Sequence, residues 1–404
     1  MPSILFINRV YPPESGATGR VLEYAARGFF DAGWKVSVLT SAGELSKPGV
    51  SLQNGVEVVR IGTLFSKDNF ILRAAGYAWM IPSFLLCALT LRRADIVVTM
   101  TDPPMLSVIG PVLKLIKGSV LIHWAQDLYP EAAEEVGIFT KEGIISRILG
   151  FLSSRSLGAH DLTISVGRCM QERLVRKGVP ASRIRVLTNT GLERNIHPIK
   201  RGKSLFRERY GIGEEFVVMY SGNMGRAHEF GTIIEAARIL QERGERAVLF
   251  LFVGSGSEEF STRQSVERLG LENVRFLPSQ PFGNLSESLG MGDLHLVTMR
   301  KGMQGVVVPS KFYGVMAAGR PTLLVGSLLS EVGRVIEQQK IGEVINVGDA
   351  QEMASVILNY RDHPDKLEEE GRRARELIIT EDFLPSLIKE AGRVSLSQKV
   401  PSIN

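Results

Sequence analysis

The feature that most limits how this chain can fold is a repeated alternation of apolar strand, glycine-bearing loop and helix. Ser3–Asn8 reads as a buried strand, Arg9–Gly19 (RVYPPESGATG) as a loop, Arg20–Ala32 as a helix and Trp34–Thr40 as the next strand. That order opens a doubly wound parallel sheet, in which ligands collect at the carboxyl ends of the strands. Asp95–Met100, Val120–Trp124, Leu162–Ser165 and Ile184–Leu187 continue the series. A second series begins at Phe216–Tyr220 and runs through Ala247–Val253, Val274–Leu277, Leu294–Thr298, Pro321–Val325 and Glu343–Val347. Between Arg183 and Arg209 the sequence turns polar and loses any sheet period, the best candidate for a linker. With 404 residues, more than one typical core supports, the expectation is two α/β domains, residues 1–189 and 190–380. Phe383–Leu396 adds a last helical segment.

Composition narrows the functional classes. Two cysteines, Cys87 and Cys169, exclude a disulfide scaffold and suit a reducing compartment. Met1–Asn8 passes directly into a strand, so no cleavable signal peptide is expected. Residues 1–190 hold 21 Lys and Arg against 15 Asp and Glu, whereas residues 191–404 hold 27 against 28. A basic first half suits nucleic acid, anionic lipid or a phosphorylated substrate. No basic run is interleaved with aromatics, so nucleic acid is the weakest of the three and is not expected as a partner.

Ala74–Leu91 is uncharged and flanked by Arg73 and by Arg92 and Arg93. It sits at the lower length limit for a membrane span, but Pro82 at its middle argues for helices that are buried as a pair or lie at a membrane interface. The basic surplus in the same half favours the interface.

The chemistry-bearing residues fall in loops at strand ends. Gly16 and Gly19 would let a ligand approach the first loop, although no GxGxxG fingerprint is present. Asp127, in the block Gln126–Glu131 after a strand, is a ligand or catalytic carboxylate, or else a helix cap. His123 lies inside the apolar strand and reads as a core histidine. In the second half, Gly222, Asn223, Gly225, Arg226 and His228 share one strand-end loop, and Gly254 and Gly256 share the next. Arginine at such a place holds a diphosphate bidentately. Gly302–Pro321 (GMQGVVVPSKFYGVMAAGRP) brings Gly305, Pro309, Ser310 and Lys311 to a helix start, with Ser310 as N-cap and Gly319 and Pro321 as terminators. A helix N-terminus beside a lysine suits a phosphate; an ordinary loop-to-helix junction with a surface lysine fits the same residues. No His/Cys cluster has metal-ligand spacing, and neither a P-loop nor a GxSxG motif occurs.

Taken in order, Tyr11-Pro12-Pro13 with Gly16, Gln126–Glu131, Ser221–Arg226, Val253–Gly256, Pro309–Lys311 and Met316–Pro321 resemble the retaining glycosyltransferases of family 4, over nearly the whole chain. The resemblance implies the GT-B fold, two doubly wound Rossmann-like domains facing across a cleft, with a helix within 381–404 returning to the first. The Thr101–Pro104 loop and the apolar stretch before it are similar to the subgroup that builds bacterial surface polysaccharides on a polyprenyl-diphosphate carrier. The implied activity is hexosyl transfer without a metal or other cofactor, from a nucleotide-sugar donor, UDP-linked, to a lipid-linked acceptor at the cytoplasmic face of the membrane. Arg226 and Lys311 would neutralise the donor diphosphate and Ser310 support it. Gly302–Gly305 would lie near the sugar, Gly16 near the phosphates, and Asp127 near sugar and acceptor. Catalysis would then rest on positioning and charge stabilisation.

Two departures stand out. The glutamate pair common in the family falls on Val306 and Gly314, and the lysine that usually follows the Gly-Arg loop falls near Phe230, leaving Arg226 and His228 as substitutes. A soluble nucleotide-sugar enzyme with a small acceptor, an epimerase, and a catalytically silent sugar-nucleotide-binding subunit are the alternatives.

Overall fold

The computed structural model describes residues 1–14, 16–62 and 70–399, the side chains of 70–74 and 397–399 excepted. It separates into two units. The first comprises Met1–Asn189, Gly305–Val307 and the chain from Phe383 onward; the second comprises Thr190–Gln304 and Val308–Asp382.

In the first unit, eight strands run β1 Ser3–Ile7, β2 Lys35–Ser41, β3 Gly49–Gln53, β4 Val56–Ile61, β5 Ile96–Thr99, β6 Val120–Ala125, β7 Leu162–Ser165 and β8 Ile184–Val186. They form one sheet in the order β3-β4-β2-β1-β5-β6-β7-β8, parallel except for β3 against β4. Its helices are α1 Ala17–Asp31, α2 Phe70–Thr90, α3 Gly110–Lys117, α4 Glu131–Glu135, α5 Ile144–Ala159 and α6 Arg168–Arg176. Helices cover both faces, so the central strands are apolar without alternation: Ile4, Leu5, Phe6 and Ile7 of β1 are all buried.

Three details differ from the sequence reading. α1 starts at Ala17, so Gly19 belongs to a helix; its position is set by packing, because a Cβ on Gly16 or on Gly19 would come within 2.9 Å of Val10 Cγ1. The β3–β4 hairpin was not anticipated. It turns at Asn54 and Gly55, whose φ values of 48° and 83° are those of a tight primed turn. The apolar stretch 74–91 is one helix with Pro82 inside it, not a pair, and Met80, Phe84 and Ala88 bury a single stripe at helical spacing. Among the described residues, no helix is long and apolar enough to cross a membrane.

The second unit is a six-stranded, all-parallel sheet in the order β11-β10-β9-β12-β13-β14. Its strands are β9 Phe216–Ser221, β10 Val248–Val253, β11 Val274–Leu277, β12 Leu294–Thr298, β13 Thr322–Val325 and β14 Gly342–Ile345. The helices are α7 Leu205–Arg209, α8 Gly231–Glu242, α9 Glu259–Arg268, α10 Leu285–Gly290, α11 Lys311–Ala317, α12 Glu331–Gln339, α13 Ala350–Asp362 and α14 Pro364–Thr380. A buried ion pair, Arg207 to Asp293 at 3.2 Å, ties α7 to the start of β12. Both partners are otherwise satisfied: the guanidinium donates to the carbonyls of Gly213, Glu215 and Met291, and the carboxylate accepts from the Val217 amide.

The last helix, α15 Phe383–Lys399, groups with the first unit. Phe383 packs its ring on Tyr24 and Trp124, and Leu384 lies so close to Gly28 that a Cβ there would meet it at 2.2 Å. Of the segment 381–404 expected at this end, residues 400–404 lie outside the described residues.

Candidate active site

The second unit concentrates its chemistry at the carboxyl end of β9. Tyr220 ends the buried part of that strand, and its hydroxyl donates to the Asn223 carbonyl at 2.7 Å. Lys311, first residue of α11, donates its ammonium to the same hydroxyl and lies 3.9 Å from the centre of the Tyr220 ring, a cation–π contact. His228 completes the pocket. Its Nδ1 donates to the Thr298 carbonyl at 2.6 Å, which leaves Nε2 as an acceptor facing Lys311 Nζ at 3.3 Å.

Every polar partner of Lys311 among the described residues is therefore neutral. Burial holds the lysine well below its ordinary pKa. Burial, and then the Lys311 charge, bring His228 down to about 3, so the imidazole is neutral and cannot compete for an anion. A cation enclosed by a phenol, an imidazole and backbone is short of negative charge.

The glycine loop closes around this group. Gly222 has a φ of 136°, and a Cβ there would stand 3.5 Å from Lys311 Cε, so the loop passes directly over the lysine stem. Gly254, also at positive φ, lets the two strand-end loops touch; a Cβ would strike the Gly222 carbonyl at 2.1 Å. Gly256 packs likewise on the Met224 carbonyl. Gly225 stands beside the Asn223 amide, and Asn223 and Arg226 are exposed on the same loop. The loops of Gly222–His228 and Gly254–Gly256 and the start of α11 thus form one constellation. Pro309 is buried before it.

Ser310 corrects the expectation of an N-cap. It stands at the cap position but in helical conformation, with φ −63° and ψ −22°, and its side chain makes no capping bond. In that conformation the hydroxyl is not turned back towards the first amides of α11, and Ser310 is exposed. Gly314, where the family places a glutamate, aims its Cβ direction at Leu289 and Ile196 in the apolar core.

The first unit carries a separate polar group at its own strand ends. Arg9, after β1, grips Asp102, after β5, through two side-chain bonds of 2.6 and 2.9 Å. Asp127, after β6, borders a small cavity with Thr101, Met105, His123 and Tyr129. Burial, and secondarily the charge of Asp102, push its carboxyl up to about 7. His123 is a core histidine beside Thr99 and His160, held neutral by burial. Gly16 opens α1 in extended conformation. Gly305 groups with this unit, at φ 72°, where a Cβ would meet the Cys169 carbonyl at 2.5 Å. Next to it the Leu128 amide donates to the Val306 carbonyl at 2.9 Å, and Val307 bridges Asp127.

Sequence reasoning missed Tyr220 and the Arg9–Asp102 pair. Tyr220 was absorbed into an apolar strand, and its place as that strand's last buried residue was the available signal. Arg9 and Asp102 hold equivalent positions just past two neighbouring parallel strands.

Two Rossmann-like units, one with a cation and glycine loops at its strand ends, present the kind of strand-end surface on which a phosphate can be held. A glycosyl transferase 4-like domain matches residues 16–190 and a glycosyl transferases group 1 domain matches residues 203–377. The chain belongs to the family 4 glycosyltransferases of GT-B fold. It is 28% identical over 266 residues to a Pseudomonas aeruginosa protein named Probable glycosyltransferase WbjE, a match covering 66% of each chain. WcaI of Escherichia coli strain K12, named for colanic acid biosynthesis, is 25% identical over 230 residues, 56% of each chain. The matched regions thus span between about half and two thirds of these relatives. HepE of Anabaena, solved with UDP, shares the fold at a TM-score of 0.71 and 17% identity, covering 98% of this chain and all of that one.

Proposed function

We propose that the chain is a retaining glycosyltransferase of bacterial surface polysaccharide synthesis, moving a hexosyl group from a UDP-linked donor to a lipid-linked acceptor. The observation that carries this reading is Lys311: a lysine surrounded by neutral partners, at the mouth of two glycine loops, is completed by a diphosphate. Arg226, exposed on the loop that covers Lys311, adds a second cation, and Asn223, Gly222 and Gly225 offer the backbone and amide groups that face it. HepE of Anabaena was solved with UDP, with UDP and glucose, and with UDP-glucose, which supports a uridine donor. The name of WcaI, a putative colanic acid biosynthesis glycosyl transferase, supports the polysaccharide setting.

In this reading Lys311 and Arg226 stabilise charge as the diphosphate departs, and the departing group accepts the acceptor proton on the same face, so that no metal is required. Gly254 and Gly256 shape the nucleoside side, while Pro309 and Ser310 set the start of α11 against the phosphates. Asp127, with its carboxyl near neutrality, orients the acceptor hydroxyl. In the first unit the Arg9–Asp102 pair fixes the strand-end loops, and Gly16 and Gly305 allow close packing there, against Val10 and the Cys169 carbonyl.

A thermal-shift panel of UDP, GDP and their sugars tests the donor assignment, since a ligand bound to the native state raises the melting temperature by mass action. UDP compounds are expected to raise it and Arg226→Ala to diminish that rise. A shift with GDP compounds alone, or with none, contradicts the assignment.

A further inference from the structure

Helix α5 is amphipathic in the reverse sense. Its buried positions include Ser146, Ser153 and Ser156, each 4% exposed, whereas Ile144, Ile145, Ile148, Phe151 and Leu152 face outward. Two of the inward serines are held by polar contacts, Ser146 donating to a Glu134 carboxylate oxygen and Ser153 to the Tyr129 carbonyl, while the Ser156 hydroxyl is buried without a partner among the described residues. The outward residues recur at helical spacing and form one continuous stripe, with Phe151 66% exposed. α3, which packs against α5, buries Leu113 in the ordinary sense but turns Leu115 and Ile116 out to the surface. A monomeric soluble surface seldom gathers so much contiguous apolar area.

The charges around the stripe identify what covers it. Neither α3 nor α5 carries an acidic residue. Arg155 falls on the line of the stripe and Arg147 on its edge; both are exposed and have no side-chain partner among the described residues. Lys114 and Lys141, by contrast, are paired with Asp161 and Glu135. Apolar side chains with unpaired arginines beside them fit a surface whose interior is hydrocarbon and whose rim is anionic.

We infer that the outward face of α5, continued by α3, lies on an anionic lipid bilayer. In the uncharged stretch 74–91, Met80, Phe84 and Ala88 face the core, while Trp79 and Leu86 are 57% and 65% exposed, so that helix keeps an apolar outer face of its own beside the one on α5. The inference deepens the lipid-linked acceptor of the reading above, but its observations come from the first unit and are independent of the donor site.

Flotation of the full chain tests it, using vesicles of phosphatidylcholine with phosphatidylglycerol and vesicles of phosphatidylcholine alone. The wild type is expected to float with the mixed vesicles, and Ile148→Asp/Phe151→Asp to reduce the floated fraction about tenfold. Arg147→Gln/Arg155→Gln is expected to lower flotation and remove its salt dependence. These positions are exposed, so folding is retained, and an unchanged UDP thermal shift in each variant confirms it. A wild type that stays at the bottom, or an aspartate variant that floats like the wild type, overturns the inference. So does a dimer that the aspartate pair dissociates while flotation persists, since the stripe would then be covered by a second copy. Loss of the UDP shift in the wild type would refute the donor assignment and leave the flotation result standing.

Discussion

Lys311 Nζ stands 3.9 Å from the centre of the Tyr220 ring and donates to that ring's own hydroxyl. The phenol in turn donates to the Asn223 carbonyl, so one side chain links the lysine to the glycine loop. The lysine is thereby aimed without a carboxylate, and its positive charge stays available to a ligand.

Proton uptake on donor binding follows from that arrangement. The unfolded lysine holds its proton up to about 10.5, while burial makes the folded one release it at lower pH. Between these limits the unfolded state binds more protons, so the stability of the free protein rises with pH. A bound diphosphate restores the charge. Calorimetric titration with UDP in two buffers of different ionisation enthalpy is expected to show net proton uptake at pH values below the ordinary 10.5, and affinity is expected to fall as pH rises towards it.

Tyr220→Phe removes a buried hydroxyl and leaves the Asn223 carbonyl without this donor. Chemical denaturation is expected to show a loss of about 1 kcal/mol. UDP affinity is expected to fall as well, because Lys311 loses the group that fixes its direction. A variant with unchanged UDP affinity would show that Tyr220 has no part in aiming the lysine.

Asp127 carries the opposite linkage. Its folded pKa, about 7, lies above the ordinary 3.8, so the folded state binds the extra proton between those values and stability falls as pH climbs through that window. Asp127→Asn is therefore expected to melt above the wild type at pH 8, with the difference vanishing towards pH 4. The same variant is expected to slow transfer to the acceptor while leaving UDP binding intact.

Asp293→Ala separates folding from chemistry. It leaves Arg207 buried without its charge partner and the Val217 amide without its acceptor. Denaturant unfolding of the second unit is expected to show a loss of about 3–5 kcal/mol.

The fold was legible because parallel strands covered on both faces are short apolar runs bounded by polar loops, and Phe216–Tyr220 or Leu294–Thr298 could be placed almost to the residue. The hairpin at Asn54–Gly55 escaped, although an Asn-Gly turn is a strong local signal. The candidate site was legible where backbone geometry demands a residue type, as at Gly222 and Gly254. It was not legible where a side chain acts through a tertiary contact: Tyr220 looks like one more apolar strand residue until Lys311, ninety-one positions later, is placed against it. The reversed α5 was hidden for the same reason, because its serines and isoleucines show a helix but not which side the protein takes. Ser310 shows the converse, a residue type suited to capping in a backbone conformation that does not use it.

The most direct test of the central claim is a UDP titration followed by melting temperature in the wild type and in Lys311→Met. Methionine keeps the stem and removes a charge that the free protein holds at a cost, so the variant is expected to melt no lower than the wild type without ligand, yet to show little or no rise with UDP. A Lys311→Met protein that binds UDP as the wild type does would contradict the account.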